Sequence, residues 1–300
     1  MKRKEIKCFN DLFLEVRSGF GIFPGLFFYL ISPPYLKLWI MLLGVTVGEV
    51  IGKMVFGGFG QNIFNPALVG RAFIAFSFSN EIAEGYFNPA GTEVFLDAFS
   101  GATPLTHYQT LFSSGLPEMA DLINPFNSLL NMFIGFIPGS IGEVSALCCI
   151  LGYIYLSIKH VIDFKVPLIY ISTVFLVTLT AGLIMGYSIE YPLYQILSGG
   201  LFFGAIFMAT EPVTSPKTWF GKSMYAMLLG VLTVLFRLVG NLPEGVATAI
   251  LTMNIFGLVL DKYAIKARVE GKIDKKNLPG LIIFIVIFVA LFAYDVFMIV

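Results

Sequence analysis

Seven residues carry the most suggestive chemistry in this chain: Asp97-Ala98-Phe99-Ser100-Gly101-Ala102-Thr103, followed by Pro104-Leu105. Small residues flank the Thr103 hydroxyl, an atom that a group transfer could esterify, and an acid stands six positions before it. The same stretch also reads as a plain turn, because Gly, Pro and Ser are ordinary turn residues.

Three further groups of polar residues could hold a ligand. Asn62 and Asn65 follow a glycine-rich run, Gly57-Gly58-Phe59-Gly60, and are three apart at an expected helix start, so both amides could face one ligand. Helix N-capping by Asn is the competing reading. Thr210 and Glu211 lie in Ala209-Thr210-Glu211-Pro212-Val213-Thr214-Ser215-Pro216, where two prolines stop a helix and free its last carbonyls. Glu211 there could bond a heterocycle edge or simply meet the next helix start. Ser140 and Glu143 belong to Pro138-Gly139-Ser140-Ile141-Gly142-Glu143, which is expected to open a helix. Backbone N–H groups at such an end favour anions, although a capped start with an acidic first turn explains it equally.

These residues sit in an apolar chain. It has 300 residues, 57% hydrophobic and 13% charged, with a mean hydropathy of +0.85. Soluble domains carry about 25% charged residues. Several apolar runs approach the roughly 20 residues that a spanning helix needs, and they are too long for barrel strands. The expected fold is an all-α polytopic membrane protein of about nine transmembrane helices. The candidate crossings are 18–31, 35–56, 62–79, 142–158, 166–187, 192–210, 223–240, 244–260 and 279–299. A shorter apolar stretch, 125–138, is bounded by Pro125 and Pro138 and reads as re-entrant or interfacial.

Lysines and arginines set the orientation. They cluster in the N-terminal segment and in the 159–165, 211–222 and 261–278 loops, and none occurs between Arg71 and Lys159. The N-terminus is therefore expected on the cytoplasmic side, with the Thr103 loop outside. The chain reads as one membrane domain, 1–300, and it repeats itself. Gly25-Leu26-Phe27-Phe28 matches Gly200-Leu201-Phe202-Phe203, and Met-Leu-Leu-Gly-Val occurs at 41–45 and 227–231. Repeat 1 is 18–79 and repeat 2 is 193–260, in inverted topology as in many transporters. Between them lies the 80–141 outward segment, and 279–299 is an additional C-terminal helix.

Charges inside apolar runs are functional candidates by default. Glu49 and Lys53 are spaced i,i+4 as an ion pair would be, while Lys53 and Arg237 could instead snorkel to opposite faces. The net charge is zero, so no nucleic-acid partner is expected. Cys8, Cys148 and Cys149 form no disulfide framework, His107 and His160 lack metal-spaced partners, and no cleavable leader is expected at Met1 to Arg17.

Taken in order, the motifs resemble the RnfD/NqrB membrane flavoprotein family, whose two branches serve the Rnf complex and the sodium-pumping NADH:quinone reductase. The matching motifs are Ser32-Pro33-Pro34, Gly57-Gly58 through Asn65-Pro66-Ala67, Asp97 to Leu105, Gly139 to Glu143, Ala209 to Thr214 and Gly240 to Ala247. The resemblance implies FMN attached to Thr103 as a phosphothreonine ester by a separate flavin transferase, with Asp97, Ser100, Gly101 and Ala102 as its recognition motif. The helix start expected at Ser140 and Glu143, on the same side as Thr103, could then hold the FMN phosphate region, although Glu143 argues against a bare anion site. A second, non-covalent flavin such as riboflavin would sit near Asn62, Asn65, Thr210 and Glu211. The implied role is that of RnfD in an ion-translocating ferredoxin:NAD+ oxidoreductase (Rnf) complex of the inner membrane, with the A, B, C, E and G subunits as partners and Na+ or H+ as the pumped ion. The alternatives are an NqrB-type component of the quinone reductase, an inverted-repeat channel or secondary transporter without flavin, and a flavin-free scaffold. Two departures stand out: only about twenty residues precede the Gly-Leu-Phe-Phe region, where the family has two further helices, and 279–299 is extra.

Overall fold

The computed structural model describes residues 21–86, 103–238, 240 and 245–270. Within them every regular element is helical. The first half holds α1 (Ile22–Leu30), α2 (Leu38–Gly52), α3 (Pro66–Ser77), α4 (Ser79–Glu84), α5 (Pro104–Ser114), α6 (Met119–Ile123) and α7 (Leu129–Ile134). The second half holds α8 (Ala146–Ile158), α9 (Lys165–Ile184), α10 (Glu190–Leu197), α11 (Leu201–Phe203, continued by a π-helical turn at Gly204–Met208), α12 (Trp219–Leu238) and α13 (Gly245–Glu270).

Among the described residues three stretches are long and apolar enough to cross a membrane: Leu38–Phe56, Lys165–Ile184 and Trp219–Leu238. The pair Glu190–Leu197 and Leu201–Met208 makes a fourth if its 66° bend lies within one span. That is fewer than the nine crossings expected from hydropathy. Two of the other apolar helices, α3 and α8, are cut short by their own caps. Asn65 accepts from Leu68 N and Pro66 opens α3, so the crossing expected at 62–79 becomes 12 helical residues. At 1.5 Å per residue that is about 18 Å, against a hydrocarbon core of about 30 Å. Ser145 caps α8 in the same way. The 125–138 stretch forms a 3₁₀ turn at Asn124–Phe126 and the six-residue α7. The 279–299 segment lies outside the described residues.

Small residues set the tightest crossing. Gly44, Gly48 and Gly52 recur every four positions along one buried face of α2, the spacing that lets helix backbones approach in lipid. A Cβ on Gly48 would strike the Pro66 carbonyl oxygen of α3, and one on Gly70 would strike the Gly44 carbonyl oxygen of α2. A larger core joins α1, α2, α3 and α9 to α13, centred on Phe28, Ile40, Ile74, Tyr170, Leu229 and Met253. A second, smaller core lies under the segment after Thr103 and gathers Tyr108, Leu122, Phe126, Met132, Tyr191 and Tyr194. Leu42, Ile51, Leu176 and Leu183 face outward, as expected of helix sides that meet lipid.

Candidate functional site

A cavity of about 530 Å³ opens where α3, α5, the 137–144 segment, the α10–α11 break, the last turn of α12 and the start of α13 converge. Its wall includes Thr103, Thr106, Ser140 and Glu143, together with Arg71 and Arg237. Ligand sites commonly fall between about 300 and 1,000 Å³. Thr103, Ser140 and Glu143, expected from sequence to share a site, are thus brought to one cavity. Asp97, Ser100, Gly101 and Ala102 lie outside the described residues.

Thr103 is not a turn residue. It is the N-cap of α5: its backbone is extended (φ −64, ψ 156), its Oγ1 accepts from Thr106 N at 3.3 Å, and Pro104 fills the first helical position. Pro fits there because its missing N–H would have had no helical partner. The Thr106 hydroxyl closes the cap, donating to the Thr103 carbonyl at 2.9 Å and lying 3.1 Å from the Thr103 hydroxyl. Tyrosines fasten this helix to α10. Tyr194 donates to the Pro104 carbonyl at 2.6 Å, and the Tyr108 and Tyr191 hydroxyls meet at 2.8 Å. Burial, reinforced by the adjoining Tyr191, holds the Tyr108 phenol well above its ordinary pKa, so it stays a neutral hydrogen-bonding group. Sequence reasoning passed over these tyrosines, since a Tyr in an apolar run carries no spacing that marks its partner.

The 139–145 segment differs from expectation. Ser140 and Glu143 do not open a helix; they precede it, and α8 begins only after the Ser145 cap. The cause is backbone pairing with α1. Gly142 N donates to the Leu30 carbonyl at 2.7 Å and Ile141 N to the Ser32 carbonyl at 3.4 Å. Those donors satisfy the end of α1, so the segment stays a turn with Ser140 buried.

Arg237 corrects a second expectation. It does not snorkel: the residue is 2% exposed. Its Nη1 donates to the Gln195 carbonyl and its Nη2 to the Ser198 carbonyl at 3.0 Å. These carbonyls are orphaned where α10 ends, because the chain turns through Ser198, Gly199 and Gly200 before α11. Gly199 has φ +64, a conformation that favours glycine, and a Cβ there would also crowd Arg237 Nη2 at 3.3 Å. A Cβ on the next residue, Gly200, would strike the Glu143 carboxylate. A guanidinium and a carboxylate thus flank two consecutive glycines at a broken helix. Lys53 does not snorkel either. It is 4% exposed and pairs with Glu49 at 3.1 Å.

The Asn62, Asn65, Thr210 and Glu211 group lies apart. None of these residues lines the large cavity. Asn62 Nδ2 donates to the Phe64 carbonyl at 3.0 Å and reaches Glu211 Oε1 at 3.5 Å, while Thr214 donates to Glu211 Oε2 at 3.0 Å. Asn65 caps α3 as described. Thr210 turns its hydroxyl back to the Ile206 carbonyl. It lines a smaller cavity of about 240 Å³ beside Asp163, Lys217 and Lys222. Asn62 and Glu211 do meet, but they bond each other.

Comparison with known proteins places these features in a family setting. The family model described as NQR2, RnfD, RnfE matches residues 13–270. The B subunit of the Na(+)-translocating NADH-quinone reductase of Chromohalobacter salexigens is 35% identical over 272 residues, covering 87% of this chain and 62% of that protein. The protein of the same name from Klebsiella pneumoniae strain 342 is 37% identical over 263 residues, covering 86% and 62%. That from Ectopseudomonas mendocina is 36% identical over 270 residues, covering 87% and 63%. The chain therefore spans somewhat under two thirds of the length of these relatives.

Proposed function

This chain belongs to the NQR2, RnfD, RnfE family, and from that premise we propose that it is an inner-membrane subunit of a redox-driven, sodium-translocating complex of the NADH-quinone reductase type, carrying FMN as a phosphoester on Thr103. The names of the relatives support the quinone-reductase branch over the ferredoxin:NAD+ branch preferred from sequence. Its partners in this reading are the other subunits of that complex and a flavin transferase that attaches the cofactor.

The observation that carries the reading is the position of Thr103: the one hydroxyl of the expected attachment motif that is described caps a helix in the wall of a ligand-sized cavity. The residues fit a flavin nucleotide. Phe76, Tyr86, Ile137 and Val144 supply apolar wall for a ring, and the α5 N-terminus with Arg237 supplies positive potential for a phosphate. Bound flavin would supply one- and two-electron transfer, which no side chain here provides. The chain's share is to anchor, orient and shield. Thr103 Oγ1 would hold the flavin nucleotide as its phosphate ester, and the separate transferase would supply the donor whose phosphoanhydride bond breaks as that ester forms. Tyr194 and Tyr108 fix the helix that bears it. The Arg237 clamp keeps the broken α10–α11 backbone satisfied beside the cavity. The Asn62–Glu211 group braces helices in this reading and receives no ring. An inverted repeat and an outward Thr103 loop belong to the same proposal, and cysteine accessibility on either membrane side checks them.

The decisive experiment is denaturing electrophoresis of the full chain co-expressed with the transferase. Flavin fluorescence should stay with the polypeptide and vanish in Thr103→Ala. A non-fluorescent wild-type band, or a fluorescent Thr103→Ala band, would overturn the attachment. A channel or transporter without flavin predicts ion uptake unchanged by Thr103→Ala; the redox reading predicts that coupled uptake is lost.

A further inference from the structure

Sharing with that reading only its membrane setting, we propose that the end of the molecule where α9 and α12 begin is a binding site for the phosphate headgroup of one anionic phospholipid. These two helices are long and apolar enough to span a membrane, and their first residues are Lys165 and Trp219. The Lys165 ammonium lies 5.2 Å from the centroid of the Trp219 ring and 5.6 Å from that of Phe164, so the two helices begin at one level. Tryptophan at a span end marks the boundary between hydrocarbon and headgroups, and a lysine stem laid along apolar surface keeps its charge on the wet side. Trp219 is 62% exposed, and Phe164, Phe220 and Val161 are exposed as well. Acyl chains thus meet an apolar surface directly beside fixed cations.

The cavity of about 240 Å³ lies at the same end, and Lys217, Lys222 and Asp163 line it together with Ile162, Val166 and Pro216. It is smaller than the sites of about 300–1,000 Å³ that enclose whole organic ligands, and it suits a headgroup. Both aspartates here are already committed. Asp163 pairs with Lys222 at 3.1 Å and accepts from the Lys165 amide at 3.2 Å. Asp261, on α13, accepts from the Lys217 amide at 2.8 Å and from the Thr218 amide at 3.1 Å. Those bonds fix the backbone that carries Lys217. The Lys217 side chain is exposed, and it makes no ion pair among the described residues. Lys165 has rings for its close neighbours. With Lys222, the three lysines outweigh Asp163 and Asp261 and leave this end positive.

The lysines also stand where a helix suits them least. Neither α9 nor α12 has an acid in its first turn, and Lys165 and Lys222 occupy those turns. The helix macrodipole is positive there, so a cation is disfavoured and an added anion relieves both charges. Basic pockets between spanning helices take lipid headgroups on the same electrostatic grounds. The exposed aromatic rim assigns the phosphate to a lipid and not to a free anion, since only a lipid brings chains to cover Trp219 and Phe220.

Native mass spectrometry of the full chain, purified in detergent and titrated with phosphatidylglycerol or phosphatidylcholine, tests the site. Wild type should retain its first phosphatidylglycerol at least about 10-fold more tightly than phosphatidylcholine. One lysine near a membrane surface strengthens the binding of anionic lipid by about 5-fold, so Lys217→Gln should weaken phosphatidylglycerol by about that factor. Lys165→Gln should do the same while leaving the Asp163–Lys222 pair in place. Lys37, which precedes α2 and lines neither cavity, is the control: Lys37→Gln should change the affinity by less than about 2-fold. Inorganic phosphate in large excess should not displace the lipid; displacement would identify a free-anion site and overturn the assignment. Equal retention of the two lipids by wild type, or equal weakening in Lys37→Gln and Lys217→Gln, would mean diffuse charge and no site. The flavin band of the same preparations is read on a denaturing gel. Its absence refutes the flavin reading and leaves the lipid result standing, and its presence with equal lipid retention refutes the lipid site alone.

Discussion

The cavity around Thr103 and the polar group around Glu211 are built from similar residues and behave in opposite ways. At Glu211 each polar atom finds its partner within the protein: Asn62 and Thr214 bond the carboxylate, and Asn65 is spent on capping α3. At the cavity, buried Arg237 keeps a nitrogen without a partner among the described residues, and Thr103 and Thr106, bonded to each other in the α5 cap, line the wall of an open void. A satisfied polar cluster specifies how helices pack, whereas an unsatisfied one beside a void is prepared for something that is not protein. Sequence patterns do not separate the two, because Asn, Thr and Glu at helix ends look alike in both.

Breaking each side should give different kinds of failure. Thr103→Ala has the largest expected effect, complete loss of polypeptide-bound flavin fluorescence. It should also cost about 1 kcal/mol through the lost N-cap. Thr103→Ser preserves hydroxyl and cap and should restore the fluorescence in part. Glu211→Leu should leave the fluorescent band intact but destabilise the protein. It strands the Thr214 hydroxyl, which costs about 1–3 kcal/mol when buried without a partner, and removes the longer of the two Asn62 contacts, so the midpoint of thermal unfolding in detergent should fall accordingly. Should Glu211→Leu abolish the flavin and spare stability, the contrast between the regions would be reversed.

A smaller change sharpens the same contrast. Tyr194→Phe removes the bond to the Pro104 carbonyl and with it about 0.5–1.5 kcal/mol. Since Pro104 adjoins the attachment residue, the variant should be labelled more slowly by the transferase, read as fluorescence against time, with the final extent unchanged. Phe replaces Tyr without a cavity, so a changed endpoint would mean that Tyr194 does more than hold α5.

Much of the arrangement is readable from composition and local signals. Apolar length marks α2, α9 and α12; Asn65-Pro66 and Thr103-Pro104 are N-cap signatures as written; Glu49 and Lys53 pair as their spacing requires. What cannot be read depends on distant contacts. Glu143 reads as the opening of a helix because the pairing of its segment with Leu30 is invisible from its own neighbours. Arg237 reads as a snorkelling cation because its partners, Gln195 and Ser198, are some forty positions away and exist as free carbonyls only where α10 breaks. The tyrosines joining α5 to α10 escape notice for the same reason. The apolar runs at 62–79 and 142–158 read as full crossings, although caps inside them shorten the helices.

The smallest effect concerns the second cavity, beside Thr210, where Asp163 and Lys222 pair at 3.1 Å with side chains 30% and 26% exposed. Burial alone would raise the Asp163 pKa, but the Lys222 hydrogen bond, the Lys165 amide and both ammonium charges outweigh it and hold the carboxyl below its ordinary value. A carboxylate with a depressed folded pKa adds stability above its unfolded pKa and loses that stability as pH falls through the folded one. For a pair this open to solvent the contribution is about 0–1 kcal/mol. The unfolding midpoint of wild type should therefore decline slightly below the ordinary carboxylate range, and Asp163→Asn should remove that decline while leaving the flavin untouched. If the variant instead altered flavin loading, this loop would be coupled to the Thr103 cavity through α10 and α11, and the division of the molecule into one receptive region and one closed region would have to be redrawn.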